Sequence, residues 1–302
     1  MADVDTSVCI AGVRFRNPVI AASGTFGFGS VYEPFIEVGS LGGICTKGLT
    51  LLPKTGNEGE RIWETPSGLL NSIGLENPGI EIFIERELPK MKALGPVIIA
   101  NLGGDSIEEY VEGAKLLSAS CIDMLELNIS CPNVKSGGMA FGLLPDCASM
   151  VTSAVRNVCE KPLIVKLSPN APSLVEVASA CAASGADALS LVNTFKAMAI
   201  DVENRRPVFK NISAGLSGPA IRPIALRMVW DVCRAVNIPV IGIGGIDSVY
   251  AALEFLLAGA AAVQVGSATF SHPNTMHEII AGIEEYMRNK NFSRISDLKI
   301  SC

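Results

Sequence analysis

Apolar residues recur along this chain in two alternating rhythms. Short, nearly continuous apolar runs occupy residues 19–23, 43–47, 97–102, 124–129, 163–167, 188–192, 240–243 and 262–265. Such runs suit parallel strands covered on both faces, whereas a strand with one wet face alternates. Between them, residues 78–94, 106–118, 147–160, 173–184, 221–236, 248–258 and 275–290 carry apolar side chains at three- and four-residue spacing, which predicts helices with one buried face. A shorter helix near 31–38 completes eight strand–helix units. Ser106 and Ser173, each followed by glutamate in the first turn, are expected helix N-caps. Ahead of the series, residues 8–11 and 13–15 predict a small hairpin turned at Gly12. No linker or charge run divides the units, so the expected architecture is α/β: a TIM (β/α)8 barrel with a short N-terminal hairpin, one domain over residues 1–302.

Two links are too long for an ideal barrel, residues 48–78 and 193–219, and both follow C-terminal strand ends, where barrel active sites form. The strand ends themselves bring Ser23, Lys47, Gly48, Asn101, Asn128, Lys166, Val192 and Asn193 toward one mouth, with glycine turns at Gly244-Gly245 and Gly266-Ser267. No acidic residue stands among these ends, and unpaired buried cations are costly, so an anionic ligand is expected. The glycine turns after strands seven and eight occupy the position where barrels commonly hold a phosphate on backbone N–H groups. Each of Lys47 and Lys166 fits three roles: Schiff-base former, stabiliser of negative charge on a bound ring, or barrel rim. The surrounding asparagines favour the second, because they match the O=C–N–H edge of a flavin or pyrimidine better than a sugar phosphate.

Composition narrows the classes. The chain has 302 residues, 49% of them hydrophobic, with mean hydropathy +0.39, yet every apolar run is broken well before the ~18 residues of a membrane span. The acidic start, Met1-Ala2-Asp3-Val4-Asp5, lacks a secretory pattern, and a cytoplasmic protein is expected. A net charge of −6 without a basic run argues against nucleic acid. The nine cysteines show no close spacing, so no metal site is expected and most are read as reduced core residues. The only two histidines, His272 and His277, are read as helix-start and surface residues.

The densest chemistry lies in Asn128-Ile129-Ser130-Cys131-Pro132-Asn133, where a strand runs into a Cys-Pro turn and then a glycine-dotted segment. Asn128 and Asn133 can donate and accept hydrogen bonds to a planar ligand, and Cys131 can hold or release a proton. An inert turn with a small core cysteine is the plainer reading of the segment alone.

This motif, together with Asn-Ser-Ile-Gly-Leu-Glu-Asn-Pro-Gly at 71–79 and Leu-Ser-Gly-Pro-Ala-Ile-Arg-Pro at 216–223, resembles the FMN-containing catalytic subunit of class 1 dihydroorotate dehydrogenases. Residues 134–142 and 192–201 resemble its NAD-linked type B branch. The resemblance covers essentially the whole chain. It implies oxidation of dihydroorotate to orotate in pyrimidine biosynthesis, with Cys131 as the base. It implies that Ser23, Lys47, Gly48, Asn101, Asn128, Lys166, Val192 and Gly218 hold FMN, with Gly244, Gly245, Gly266 and Ser267 around its phosphate. Lys47, Asn71, Ser72, Ile73, Gly74, Leu75, Asn128, Asn133, Asn193 and Thr194 would hold the pyrimidine and its carboxylate. Glu76 stands where relatives are expected to carry a neutral glutamine, and its carboxylate is expected to point away from the site. The chain lacks a Gly-x-Gly-x-x-Gly nucleotide unit and iron–sulfur cysteine spacing. The resemblance therefore implies a partner subunit with FAD and [2Fe–2S], in a heterotetramer built on a homodimer of this chain.

The rivals are a type A homodimer passing electrons to fumarate, a related flavin barrel acting on uracil or thymine, a lysine-dependent aldolase or sugar-phosphate isomerase, and a silent barrel that only binds a partner. The segment after Asn133 speaks against the first, and Lys47 with the carboxylate it implies speaks against the second.

Overall fold

A computed structural model of the chain describes residues 4–130, 141–298 and 300. Its centre is a closed barrel of eight parallel strands, in order Val19–Ala21, Gly43–Cys45, Val97–Leu102, Met124–Asn128, Leu163–Lys166, Ala188–Leu191, Val240–Ile243 and Ala262–Val265, the last pairing with the first through Val263 and Val19. All eight predicted strands are therefore present, and nearly every residue in them is buried, which is why they read as continuous apolar runs.

Helices cover the barrel after the second to eighth strands. Those at Ile107–Ser118, Pro145–Arg156, Leu174–Ala183, Arg222–Ala235, Val249–Leu257 and Thr275–Lys290 match predicted ones to within a few residues. The predicted helix over 78–94 is a short turn at Ile80–Ile82, a π-helical segment at Phe83–Glu87 and an α-helix at Leu88–Leu94. The expected helix near 31–38 does not form: two 3-10 turns, Ser30–Tyr32 and Val38–Ser40, stand there instead. Pro34 lies in the middle of that segment and offers no backbone N–H to an α-helical ladder. Ser106 caps its helix by accepting the N–H of Glu109, as expected. Ser173 occupies the N-cap position without a side-chain hydrogen bond.

The predicted hairpin pairs Val8–Ile10 with Val13–Phe15 around Ala11 and Gly12. Its Ile10 and Phe15 pack against Ile20, Ile99, Met124, Ile164, Ile241 and Ala262, which fill the barrel at the N-terminal ends of the strands. The bottom is thus sealed by an apolar plug, and any site must open at the other end.

That end carries a sheet the apolar pattern did not predict. The first long link supplies Ile62–Thr65 and Gly68–Asn71, and the second supplies Ala214–Ser217 and Phe195–Ala197. Together they form a four-stranded antiparallel sheet, with Asn71 opposite Gly215. A further two-residue pairing joins Ile200–Asp201 to Arg206–Pro207. Of the seven described cysteines, Cys45, Cys159 and Cys181 are buried, Cys147 and Cys233 half-buried, and Cys9 and Cys121 exposed, so fewer lie in the core than expected. Among the described residues, no helix is long and apolar enough to cross a membrane.

Candidate active site

Side chains alternate along a strand, so residues two apart share a face. From the plug at Ile99, Met124, Ile164, Ala188 and Ala262, one step of two leads to Asn101, Glu126, Lys166, Ser190 and Gln264. These five, with Cys45, form a polar layer across the barrel, buried as a rule yet centred on a carboxylate. Glu126 Oε1 accepts from Asn101 Nδ2 at 2.6 Å and from the Cys45 thiol at 3.1 Å, and Lys166 Nζ lies 3.7 Å away. Its Oε2 accepts from Ser190 Oγ at 2.8 Å and Gln264 Nε2 at 2.9 Å. Burial pushes the Glu126 carboxyl up, but the Lys166 ammonium and the hydrogen bonds from Cys45, Ser190 and Gln264 outweigh it and hold the group below the usual glutamate value. Burial, and then the neighbouring carboxylate, push the Cys45 thiol well up, so this cysteine stays a donor.

Above this layer lies a cavity of about 370 Å³, at the C-terminal strand ends and beneath the four-stranded sheet. Lys47, Asn128, Lys166, Val192 and Asn193 line it from the barrel, while Leu69, Asn71, Ala214, Gly215 and Ser217 line it from the sheet. Ser72, Ile73, Gly74 and Leu75, the turn leaving the sheet, close one side.

Hydrogen bonds fix the amide orientations. Asn101 must give its Nδ2 to Glu126, which turns its Oδ1 toward Asn128 Nδ2, 3.4 Å away. Asn128 Oδ1 then accepts from Ser130 Oγ at 2.5 Å and Ser130 N at 3.3 Å. Asn193 donates to the Ser130 hydroxyl and offers its Oδ1 to Thr194 N at 2.8 Å. The Asn128 carbonyl is held by Tyr110 Oη at 2.8 Å. Asn71 Nδ2 donates to Gly215 O at 3.2 Å, tying the two long links together beside the cavity.

Gly244 and Gly245, Gly266 and Ser267 line the opposite wall. Gly245 adopts φ +67°, and a Cβ there would meet Gly218 O at 2.7 Å and Arg222 Cβ at 2.8 Å, so only glycine fits. The backbone N–H groups of Gly245, Gly266 and Ser267 donate to no other backbone group among the described residues. Three such donors beside one cavity suit an anion such as a phosphate.

Of the site residues expected from the sequence, Ser23, Lys47, Gly48, Asn71, Ser72, Ile73, Gly74, Leu75, Asn128, Lys166, Val192, Asn193, Thr194, Gly218, Gly244, Gly245, Gly266 and Ser267 line this one cavity. Asn101 sits behind the wall, fully buried, and reaches the cavity only through Asn128. Cys131 and Asn133 lie outside the described residues. One expectation is corrected. Neither lysine is unpaired, because Lys166 faces Glu126 and Lys47 Nζ lies 3.5 Å from Glu76 Oε2, so the anion argument rests on the N–H groups and not on unbalanced cations. Glu76 does not line the cavity; its half-exposed carboxylate lies beside Lys47 and 3.1 Å from Arg61. The sequence reading also missed Ser130, Asn170, Lys196 and Ser213 on the cavity wall. Glu126 was missed as well, although its step of two between Met124 and Asn128 marks it as facing inward.

A sequence profile described as "Dihydroorotate dehydrogenase" matches residues 6–287. The chain is 56% identical over 296 residues to the "Dihydroorotate dehydrogenase B (NAD(+)), catalytic subunit" of Petrotoga mobilis, covering 98% of this chain and 99% of that one. It is 52% identical over 299 residues to the protein of the same name from Geotalea daltonii, covering 99% and 98%. It is 50% identical over 295 residues to that of Thermoanaerobacter pseudethanolicus, covering 98% of each.

Proposed function

The chain belongs to the dihydroorotate dehydrogenase family, and from that premise we propose that it oxidises (S)-dihydroorotate to orotate in the cytosol, as the FMN-containing catalytic subunit of an NAD-linked enzyme. The observation that carries this reading is the single cavity that joins backbone N–H groups at Gly245, Gly266 and Ser267, free among the described residues, to a wall of oriented amides and two lysines. A flavin mononucleotide has this polarity: a phosphate at one end and a ring edged with O=C–N–H groups at the other.

When bound, FMN supplies the acceptor for the hydride leaving C6 of the substrate. Ser23, Lys47, Gly48, Asn128, Lys166, Val192 and Gly218 hold its ring and ribityl chain, with Asn101 supporting them from behind the wall. Lys166 offers positive charge where negative charge gathers during the reaction. Lys47 receives the substrate carboxylate, and Asn71 to Leu75, Asn128, Asn133, Asn193 and Thr194 hold the pyrimidine edge. Cys131 takes the proton from C5. A free thiol titrates near ~8.5, so turnover rises with pH as the thiolate forms.

The relatives' names call them catalytic subunits, which supports a separate subunit between this site and NAD⁺. That partner carries FAD and [2Fe–2S], in a heterotetramer built on a dimer of this chain. The test is purification and addition of FMN: the protein should hold the yellow flavin, and dihydroorotate should bleach it without oxygen. A colourless protein that ignores added FMN refutes the reading.

A further inference from the structure

The polar layer under the cavity is not explained by stability. Replacing a buried ion pair with apolar side chains of similar volume is often neutral or stabilising, and the layer directly below is already apolar. What the layer has instead is direction. Glu126 is fully buried and does not line the cavity, whereas Lys166, 3.7 Å from it, does. The negative end of the pair is sealed into the barrel by donors from Asn101, Cys45, Ser190 and Gln264, and the positive end is presented to the ligand. The same carboxylate fixes the Asn101 amide, which in turn fixes which end of Asn128 faces Asn101 and which faces Ser130.

We propose that Glu126 is a positioning residue for the cavity floor: it holds the Lys166 ammonium aimed at the bound ring and, through Asn101, sets the orientation of the Asn128 amide. This rests on the reading that the cavity holds FMN. Glu126 touches neither substrate nor ring and acts only through these two side chains. A buried ammonium deprived of its counter-charge tends to neutralise or move. Loss of Glu126 therefore removes the stabilisation that Lys166 gives to the charge added when the ring is reduced by two electrons.

The experiment compares the wild type with Glu126→Gln, Lys166→Met and the double variant, reading FMN affinity and the two-electron midpoint potential. Each single variant should weaken binding of the reduced relative to the oxidised cofactor about tenfold, which for a two-electron couple is a fall of ~30 mV. The double variant should match Lys166→Met alone, because two residues acting through one another are not additive. Glu126→Asp is the second variant, and it keeps the charge but withdraws it by one methylene. A positioning role lowers the potential here as well, because Lys166 follows the carboxylate down, whereas a simple counter-charge leaves the potential in place. An unchanged or raised potential in Glu126→Gln overturns the proposal, as does an additive double variant. A wild-type protein that binds no FMN overturns the functional reading as well, and is seen before any variant is compared.

Discussion

Lys47 Nζ lies 3.5 Å from Glu76 Oε2, so the lysine that the proposed substrate carboxylate must reach already has a carboxylate beside it. Glu76 is also bound by Arg61, which further donates to Asn57 O and Thr55 O and so keeps its place without Glu76. The substrate therefore competes with a half-exposed side chain for Lys47.

Glu76→Gln should relieve that competition. The expected change is a fall in KM for dihydroorotate of about 1.4- to fivefold, the scale of an exposed ion pair worth ~0.2–1 kcal/mol, with kcat nearly constant. Steady-state kinetics at neutral pH checks it, and a raised KM would mean that Glu76 assists binding.

Cys131→Ala should lower dihydroorotate turnover by ~10²–10⁴-fold, the usual worth of a general base. FMN should remain bound, and orotate should still perturb its absorption, because the residues assigned to binding are untouched. Retention of more than about a tenth of the activity would move the base elsewhere.

Gly245→Ala should cost both stability and cofactor. The new methyl would sit 2.7 Å from Gly218 O at φ +67°, a strain worth ~1–3 kcal/mol. Urea unfolding and FMN titration read the two effects, and wild-type FMN affinity would take this turn out of the phosphate site.

Acid should act partly through Glu126. Its carboxyl is held below the ordinary value of 4.5 in the folded chain, so the unfolded chain takes up this proton first as pH falls. The stability contributed by the ionised form is complete above about 4.5 and is lost as pH drops through the lower folded value. Urea midpoints measured from pH 7 downward should fall more steeply below that point for the wild type than for Glu126→Gln. Parallel curves would show that the cluster carries no such linkage.

The catalytic chain alone should pass electrons from dihydroorotate to an artificial dye but not to NAD⁺. Offering dye, NAD⁺ and fumarate in turn decides it: rapid NAD⁺ reduction would remove the need for a partner, and efficient fumarate reduction would point to a self-sufficient homodimer.

The barrel was legible because each of its strands is buried on both faces and so reads as an apolar run, as in Val-Ile-Ile-Ala-Asn-Leu at 97–102. The residues at the strand ends followed from the same reading, since the topology alone sends Lys47, Asn128, Lys166 and Asn193 to one mouth. The sheet over the mouth was hidden because its strands are short and only partly buried; Ile62, Trp63 and Glu64 are exposed and carry no alternation. The pairing of the lysines was hidden for a different reason. Glu126 lies inside a strand and not at its end, and Glu76 is brought to Lys47 by Arg61, a contact that only the folded link creates.

The sheet over the cavity also bears on the order in which the molecule assembles. Asn71 pairs with Gly215 and Leu69 with Ser217, across most of the barrel's sequence. Pairing at such separation costs loop-closure entropy that nothing local repays, until the barrel strands fix where both links begin and end. The barrel can therefore close around its apolar plug before the pocket exists, and the roof of the pocket forms last. By the same reasoning it is the first part to open in the folded protein, so its amides at Leu69 to Asn71 should exchange with solvent sooner than those of the barrel strands beneath. A cofactor entering at that moment would meet the floor already built and would complete the fold as it binds.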